Sequence, residues 1–362
     1  MTRATVRSAP GKLFVAGEYA VLEPGSPAVL VSVDREVTVG VTPADDDLVI
    51  VSDLSDEVVR LSRTASGFPV NAEPRHVISA VEAVDALLSE WGLALPRIRL
   101  SIRSGLHSGG VKFGLGSSGA VTVATIDAVL AHCGVSLCTE ERFRLALLAS
   151  ARIDPRASGG DLAASTWGGW ILYRAPDRAV VLELVHDKGV RHALEAPWPG
   201  FEVRRLESPR ELTMAVGWTG RPASTSDRVS SGSVRGWRGG AAHGEFVRCS
   251  DACVIALADA LERGDDHTVL KEIRFARRLL AHVDAQAGLG IFTDGLVAMC
   301  DAAEAAGGAG KPSGAGGGDC GIALLEPEDN ALGRLRARWH AAGVVPLPIH
   351  AAATERTHAG DR

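Results

Sequence analysis

The sequence predicts a protein of mixed helices and strands that is built as two lobes. Its 362 residues are enough for two domains or for two closely packed lobes. Short runs typical of strands, at positions 5–9, 28–33 and 35–41, predict a hairpin-rich sheet at the start of the chain, with the last two strands joined at Asp34. Helical patterns dominate positions 245–306 instead.

The composition excludes several classes of partner. The net charge of −6 gives no reason to expect a nucleic acid or an anionic membrane as a partner. No run approaches the roughly eighteen apolar residues of a membrane span, and the first residues lack the apolar core of a signal peptide. The six cysteines contain no C-x-x-C pair, which favours reduced thiols over a zinc site. We therefore expect a cytoplasmic protein, whose oligomeric state the sequence leaves open.

The first candidate for chemistry is a lysine near the beginning of the chain. Lys12 follows Pro10 and Gly11, which interrupt a strand pattern. A lysine at such a strand end can point its ammonium into a cleft, although a solvated surface lysine is the more common case.

A glycine-rich turn at positions 112–120 joins a predicted strand to a predicted helix. Before it, positions 97–103 alternate polar and apolar residues, as a half-buried strand does. After it, positions 121–133 are apolar with small residues interspersed and contain no helix breaker. The turn therefore leads into a helix N-terminus.

This turn is suited to binding a phosphate. Gly114 and Gly116 can adopt positive φ angles and let backbone N–H groups approach a ligand closely. The first N–H groups of a helix have no internal partner, and the helix dipole is positive there. Ser117 and Ser118 add hydroxyl groups. The expected ligand is the phosphate of a nucleotide.

Other interpretations of the turn remain open from the residues alone. Gly114, Gly116 and Gly119 also satisfy G-x-G-x-x-G, a pattern of dinucleotide-binding proteins. That fold places an acidic residue at the end of a second strand, whereas Glu140 lies at the start of another predicted helix. No complete Walker pattern occurs, and a tight turn without any ligand satisfies the same sequence.

Further candidates follow along the chain. Asp161 lies between glycines and small residues, where it is poorly placed for a simple ion pair but suited to cap a short helical turn. Positions 219–226 form a loop rich in hydroxyl groups with one cation, Arg221. Seven glycines fall between 307 and 318, directly before an apolar strand at 321–325, so this loop is held between ordered elements.

The boundary between the lobes is expected after residue 175. Positions 174–211 contain four prolines and are the predicted crossover. This divides the chain into residues 1–175, which carry the glycine turn, and residues 176–362.

Three motifs in this order resemble the signatures of the GHMP kinases, named after galactokinase, homoserine kinase, mevalonate kinase and phosphomevalonate kinase. They are Pro-Gly-Lys at 10–12 with Gly-Glu at 17–18, the glycine turn at 114–120, and the segment at 311–319. Their order and spacing over the whole chain make the resemblance specific. It is strongest to the bacterial branch of the family that acts on 5-phosphomevalonate.

The resemblance implies an α+β fold with two lobes. The N-terminal lobe would resemble ribosomal protein S5 domain 2, and the C-terminal lobe would be ferredoxin-like. ATP would lie on the second motif, with Mg²⁺ bound and the substrate between the lobes. The implied reaction is phosphorylation of (R)-5-phosphomevalonate to 5-diphosphomevalonate.

The resemblance also assigns residues by position. Lys12 and Asp161 match the catalytic lysine and aspartate, and Ser118 matches the hydroxyl that contacts Mg²⁺. The implied ATP-binding residues are Lys112, Gly114, Leu115, Gly116, Ser117, Ser118 and Gly119. The implied substrate-binding residues are Lys12, Tyr19, Lys112, Ser158, Gly159, Gly160, Arg221, Ser224, Gly316 and Gly317.

Two positions depart from mevalonate kinases. Ser150 stands where those enzymes carry a metal-binding glutamate, and Tyr19 stands where they tend to have histidine. The alternatives are a mevalonate or homoserine kinase, an NAD-dependent oxidoreductase, or a binding protein of this fold without catalytic activity.

Overall fold

The computed structural model describes residues 4–65, 67–108, 111–221 and 237–352. The strands are β1 (Thr5–Ala16), β2 (Pro27–Pro43), β3 (Leu48–Ser52), β4 (Ser55–Leu61), β5 (Ile98–Ser104), β6 (His107–Ser108), β7 (Val111–Lys112), β8 (Trp170–Arg174), β9 (Glu202–Leu206), β10 (Thr213–Trp218), β11 (Ala309–Pro312), β12 (Cys320–Leu325) and β13 (Val345–Leu347). The helices are α1 (Arg75–Glu90), α2 (Ser117–His132), α3 (Thr139–Ala151), α4 (Gly160–Trp167), α5 (Arg178–Glu195), α6 (Ala241–Arg263), α7 (Asp266–Ala287), α8 (Asp294–Glu304) and α9 (Ala331–Ala341).

The strands form two main sheets. The first has seven strands in the order β4-β3-β5-β2-β8-β9, with β1 paired to β2. Its neighbours are antiparallel except for β3 and β5. The second is antiparallel, with the order β11-β12-β10-β13. Strands and helices alternate through the second sheet in the β-α-β-β-α-β pattern of ferredoxin-like folds. The predicted α+β fold is confirmed, and it contains two main sheets.

Helices cover the apolar face of each sheet. Helices α2 and α4 pack on β1 and β2, and α1 and α3 pack against α2. Helices α7, α8 and α9 pack on strands of the second sheet. Helix α6 packs on α7 and also contacts β2 of the first sheet, so it bridges the two layers. In the part of the chain that the structure describes, no helix is long and apolar enough to cross a membrane.

Two local predictions are wrong. The sequence predicts separate strands on either side of Asp34, but β2 is continuous. The Asp34 backbone N–H donates to His350 O at 3.0 Å, and the Asp34 carboxylate accepts from His350 N at 2.9 Å. A segment more than 300 positions away thus satisfies the polar groups that suggested a break.

The predicted crossover at 174–211 is mostly regular structure. Helix α5 begins there because Asp177 accepts hydrogen bonds from Ala179 N and Val180 N at its N-terminus. The helix is kinked at Gly189, and β9 then joins the first sheet. The prolines bracket these elements instead of marking an irregular linker. A lobe boundary between residues 175 and 176 stays a prediction.

A buried ion pair joins the two sheets. Lys311 on β11 is fully buried, Glu18 is 4% exposed, and the Lys311 ammonium contacts the Glu18 carboxylate. Lys311 Nζ also donates to Pro312 O at 2.7 Å. Next to it, Ser313 Oγ accepts from Phe14 N at 2.8 Å and donates to Phe14 O at 3.0 Å. The third motif is therefore bonded directly to the first.

Replacing Lys311 by methionine should lower the free energy of unfolding by about 3–5 kcal/mol, because Glu18 would be left buried without its cation. The measurement is urea denaturation. The double variant Lys311→Met with Glu18→Leu should recover most of the loss. Arg191→Ala, which removes the exposed pair with Glu195, is the control and should cost about 0.5 kcal/mol. A single and a double variant of equal stability would contradict the interpretation.

Candidate active site

The glycine turn has the geometry expected of a phosphate-binding loop. Helix α2 begins at Ser117 after Gly116, which has φ 74°, and Gly114 has φ 76°. The Lys12 backbone N–H donates to Leu115 O at 2.8 Å and fixes the turn on β1. The predicted positive φ angles are confirmed, and among the described residues no side chain caps the start of α2.

The two predicted catalytic residues both lie against this turn. A Cβ atom added at Gly116 would lie 2.9 Å from the Lys12 side chain. One added at Gly119 would lie 2.7 Å from Asp161 Oδ2. A side chain at Gly116 or Gly119 would therefore collide with Lys12 or Asp161, which explains why glycine occupies both positions. Lys12 and Asp161 both lie at the N-terminus of α2.

Lys12 is a buried cation, not a surface lysine. It is 8% exposed, and its Nζ lies 3.4 Å from Gly114 O. Burial lowers the pKa of Lys12 below its ordinary value, and the carboxylates of Asp161 and Asp319 oppose that shift. The ammonium is thus poorly solvated and surrounded by groups that favour its charged form.

Asp161 is held by the start of α4. Gly159, with φ 78°, precedes the helix, so Asp161 lies in the first turn and does not cap it as the simplest interpretation suggests. The Tyr173 hydroxyl donates to Ser158 O, and Ser158 Oγ accepts from Gly160 N at 3.3 Å. These bonds fix the turn that carries the carboxylate.

The third motif, at residues 311–319, forms a further wall of the site. The Tyr19 hydroxyl donates to Ala315 O at 2.7 Å, and Tyr19 has the unusual φ of 62°. A Cβ at Gly316 would lie 2.6 Å from Ile291 O, and Gly317 N donates to the same oxygen at 2.7 Å. Tyr19 and both glycines therefore belong to one packed unit.

Asp319 is a functional candidate that the sequence reasoning missed. Its carboxyl group lies against Gly114, where an added Cβ would overlap it. Its backbone N–H donates to Arg221 O at 2.8 Å, while Arg221 itself is exposed. The next residue, Cys320, donates from Sγ to Phe113 O at 2.9 Å. The second and third motifs are thus joined by hydrogen bonds. The position of Asp319 at the end of the third motif is the sequence signal from which its role could have been predicted.

His76, at the start of α1, is a second missed residue. It is partly buried, and burial lowers its pKa, with Asp161 raising it and Lys112 lowering it. Lys112 is exposed on β7, at the edge of the turn. The predicted substrate residue Ser224 lies outside the described residues.

The residues present fit a magnesium ion held jointly with phosphates. Within the described ranges, no group of three or more His, Cys, Asp or Glu side chains is arranged to hold a metal. Mg²⁺ in kinases is commonly bound by one or two carboxylates, water and the phosphates of the nucleotide. The Asp161 carboxylate, in the first turn of α4, lies against Gly119 in the first turn of α2, which also carries the Ser118 hydroxyl, and the two side chains supply oxygen ligands of this kind.

This fold and this site define a kinase, and the chain belongs to the GHMP kinase family. Residues 76–169 match the model of the GHMP kinases N terminal domain, and residues 257–343 match that of the GHMP kinases C terminal region. Members of this family use ATP. The family assignment displaces the oxidoreductase alternative.

Individual relatives point to one branch of the family. The chain is 56% identical to phosphomevalonate kinase from Streptomyces sp. (strain CL190), over 96% of this chain and 97% of the relative. It is 28% identical to mevalonate kinase from Pyrococcus furiosus, over 88% of each chain. Its fold matches a Streptococcus pneumoniae phosphomevalonate kinase, solved in complex with phosphomevalonate and AMPPNP, with TM-score 0.86 and 29% identity over 95% and 99% of the two chains. The predicted branch is confirmed.

The pKa of Lys12 should be below its ordinary value of 10.5 in the ligand-free protein, and Asp161→Asn should lower it further by removing a nearby negative charge. The measurement is competitive acetylation across a pH series, read by mass spectrometry, with N-acetyl-lysine amide as the internal standard. Asp154→Asn, which changes a half-buried carboxylate paired with Arg156, is the matched control and should leave the pKa of Lys12 unchanged. An Asp161→Asn protein with an unchanged or higher Lys12 pKa would contradict the electrostatic assignment.

Proposed function

We propose that this chain transfers the γ-phosphate of ATP to (R)-5-phosphomevalonate and releases ADP and 5-diphosphomevalonate. The observation that carries the proposal is the 56% identity to a phosphomevalonate kinase over almost the whole chain. The convergence of Lys12 and Asp161 on the glycine turn supports it. The reaction would take place in the cytoplasm.

The main obstacle in this reaction is electrostatic. The acceptor is a phosphate monoester whose second pKa is about 6, so its attacking oxygen is already largely deprotonated at neutral pH. No strong general base is needed. Two unit negative charges 4 Å apart repel by about 4 kcal/mol at an effective dielectric constant of 20, and several such terms arise when ATP and the acceptor meet. The site must therefore supply positive charge and oriented dipoles.

The proposed roles follow from that requirement. Backbone N–H groups of residues 114–119 bind the ATP phosphates, assisted by the Ser117 and Ser118 hydroxyls. Lys12 attracts the acceptor oxygen toward the γ-phosphate, and Asp161 orients Lys12 and the acceptor. Ser118 and Asp161 would hold Mg²⁺ together with the phosphates, and the ion would neutralise part of their charge when bound.

The acceptor would lie between the glycine turn and the third motif. The proposed contacts are Lys12, Tyr19, Lys112, Ser158, Gly159, Gly160, Arg221, Ser224, Gly316 and Gly317. The hydrogen bond from the Tyr19 hydroxyl to Ala315 O supports this arrangement, since it holds the third motif against the segment that follows the first motif.

A coupled assay of ADP release should show turnover with 5-phosphomevalonate and ATP, and little with mevalonate, homoserine or galactose. Lys12→Ala should lower kcat by about 10²–10³-fold, because it removes preorganised charge from the transition state. Asp161→Asn should also lower turnover. A nearly normal Asp161→Asn enzyme would make the orienting role minor, a nearly normal Lys12→Ala enzyme would refute the scheme, and preferential turnover of mevalonate would indicate a mevalonate kinase.

Lys112 should serve the acceptor more than the nucleotide. Its position at the edge of the turn predicts that Lys112→Ala raises KM for 5-phosphomevalonate more than KM for ATP, with a change of about tenfold for one lost surface charge contact. Initial rates with each substrate varied in turn separate the two effects. Equal changes in both constants would reassign Lys112 to the nucleotide. Lys271→Ala, an exposed lysine in the second turn of α7, is the control.

A further inference from the structure

The aspartate at the end of the third motif contacts the glycine turn directly. Asp319 comes immediately before β12 of the second sheet, whereas Gly114 belongs to the turn that leads into α2. A Cβ atom added at Gly114 would lie 2.4 Å from Asp319 Cγ and 2.6 Å from Asp319 Oδ2. The carboxylate therefore packs against the backbone of the turn, at a position that only glycine can occupy.

The backbone of Asp319 has an unusual conformation. Its φ is 54°, in the left-handed region, and it follows Gly316, Gly317 and Gly318, whose φ angles are 71°, 73° and 150°. A fourth glycine would adopt this conformation at a lower cost than an aspartate. Residues in such conformations cluster at functional sites. The reason for an aspartate here is therefore to be sought in its side chain.

Hydrogen bonds fix Asp319 on both sides of its peptide. Its backbone N–H donates to Arg221 O at 2.8 Å, and its carbonyl accepts from Thr219 N at 3.0 Å and from Thr219 Oγ1 at 3.2 Å. The next residue, Cys320, donates from Sγ to Phe113 O at 2.9 Å, directly before the turn. The carboxylate therefore has a defined position relative to the glycine turn.

Lys12 reaches the same glycine from the first sheet. Its Nζ donates to Gly114 O at 3.4 Å, and its backbone N–H donates to Leu115 O at 2.8 Å. Lys12 and Asp319 thus contact one residue from two different sheets. Lys12 is 8% exposed, so the attraction between its ammonium and the carboxylate is only weakly screened by solvent.

The contacts along the turn place Lys12 between two carboxylates. Asp319 packs on the first of the three glycines, the Lys12 side chain lies against the second, and Asp161 packs on the third. Asp161 comes from α4, beside the first sheet, and Asp319 comes from the second sheet. A lysine side chain has four flexible bonds, so its ammonium needs neighbours of this kind to stay in one place.

We propose that Asp319 is a positioning residue that holds the Lys12 ammonium at the glycine turn during phosphoryl transfer. The inference rests on the proposed function. The carboxylate attracts the ammonium toward Gly114, and the backbone of the third motif fixes the carboxylate. The lysine and the carboxylate belong to different sheets, so the reactive arrangement exists only while the two sheets are packed together.

The test is a double-mutant cycle between Asp319→Asn and Lys12→Ala, with kcat and the KM values for 5-phosphomevalonate and ATP measured in each protein. Asparagine removes the charge, keeps the size and tolerates the left-handed conformation. Alone, Asp319→Asn should lower kcat by about 10–100-fold, because the ammonium is misplaced. In the Lys12→Ala protein it should change kcat by less than about twofold, because the group on which it acts is absent. KM for ATP should stay within about twofold of the wild-type value in the Asp319→Asn protein, since the N–H groups of the turn are unchanged.

Two further variants complete the experiment. Asp319→Glu keeps the carboxylate and should retain more of the wild-type kcat than Asp319→Asn. Asp329→Asn is the matched control, because Asp329 is an exposed aspartate beyond the other end of β12. It should leave all three constants unchanged.

The outcomes separate the two proposals. A wild type that does not phosphorylate 5-phosphomevalonate refutes the proposed function and this role with it. An active wild type in which Asp319→Asn lowers kcat equally with and without Lys12 refutes the positioning role alone. So does a normal kcat in Asp319→Asn, or an Asp319→Glu protein no better than Asp319→Asn. A rise in KM for ATP as large as the fall in kcat also refutes it, because Asp319 would then only brace the phosphate-binding turn. If Asp319→Asn does not fold, Asp319→Ser takes its place in the cycle and the same outcomes apply.

Discussion

The site depends on one buried ion pair, between Glu18 of the first motif and Lys311 of the third. Each charge would be costly to bury alone, and together they are stable only in a single arrangement of the two sheets. The neighbouring bonds from Ser313 to the Phe14 backbone act in the same direction. Since Lys12 lies six residues before Glu18, this contact also determines where the third motif lies relative to the proposed catalytic lysine.

Glycine occurs at these positions of the site mainly because charged side chains pack directly against the backbone there, and less because the backbone must be flexible. Gly116 admits the Lys12 side chain, Gly119 admits the Asp161 carboxylate, and Gly114 admits Asp319. A side chain at any of these positions would displace a charged group from the N-terminus of α2. The same three glycines would suit a dinucleotide-binding turn by spacing alone, so the identity of the packed neighbours distinguishes the two folds.

The local features were predictable from sequence, and the long-range ones were not. Periodicity placed helices α1, α6 and α7 within a few residues, and the glycine turn was recognised from its spacing. The kinked helix α5 was missed because four prolines and an internal glycine mask its pattern. The ion pair between Lys311 and Glu18 could not be predicted from the sequence. The two residues are 293 positions apart, and a lysine in a glycine-rich segment gives no sign that it is buried. His76 was missed for the same reason, because its role arises from what the fold brings to it. Asp319 differs, since its position at the end of the third motif was a sequence signal that the reasoning did not use.

The environment of Lys12 suits an acceptor that is already an anion. Burial lowers the pKa of Lys12, and the nearby carboxylates partly oppose that shift. A phosphate arriving at the ammonium adds negative charge and favours the protonated form further, so binding of the acceptor and full charge on Lys12 reinforce each other. An acceptor that was a neutral alcohol would supply no such charge and would need a base to remove its proton. The environment of Lys12 is therefore compatible with a phosphate as the attacking group.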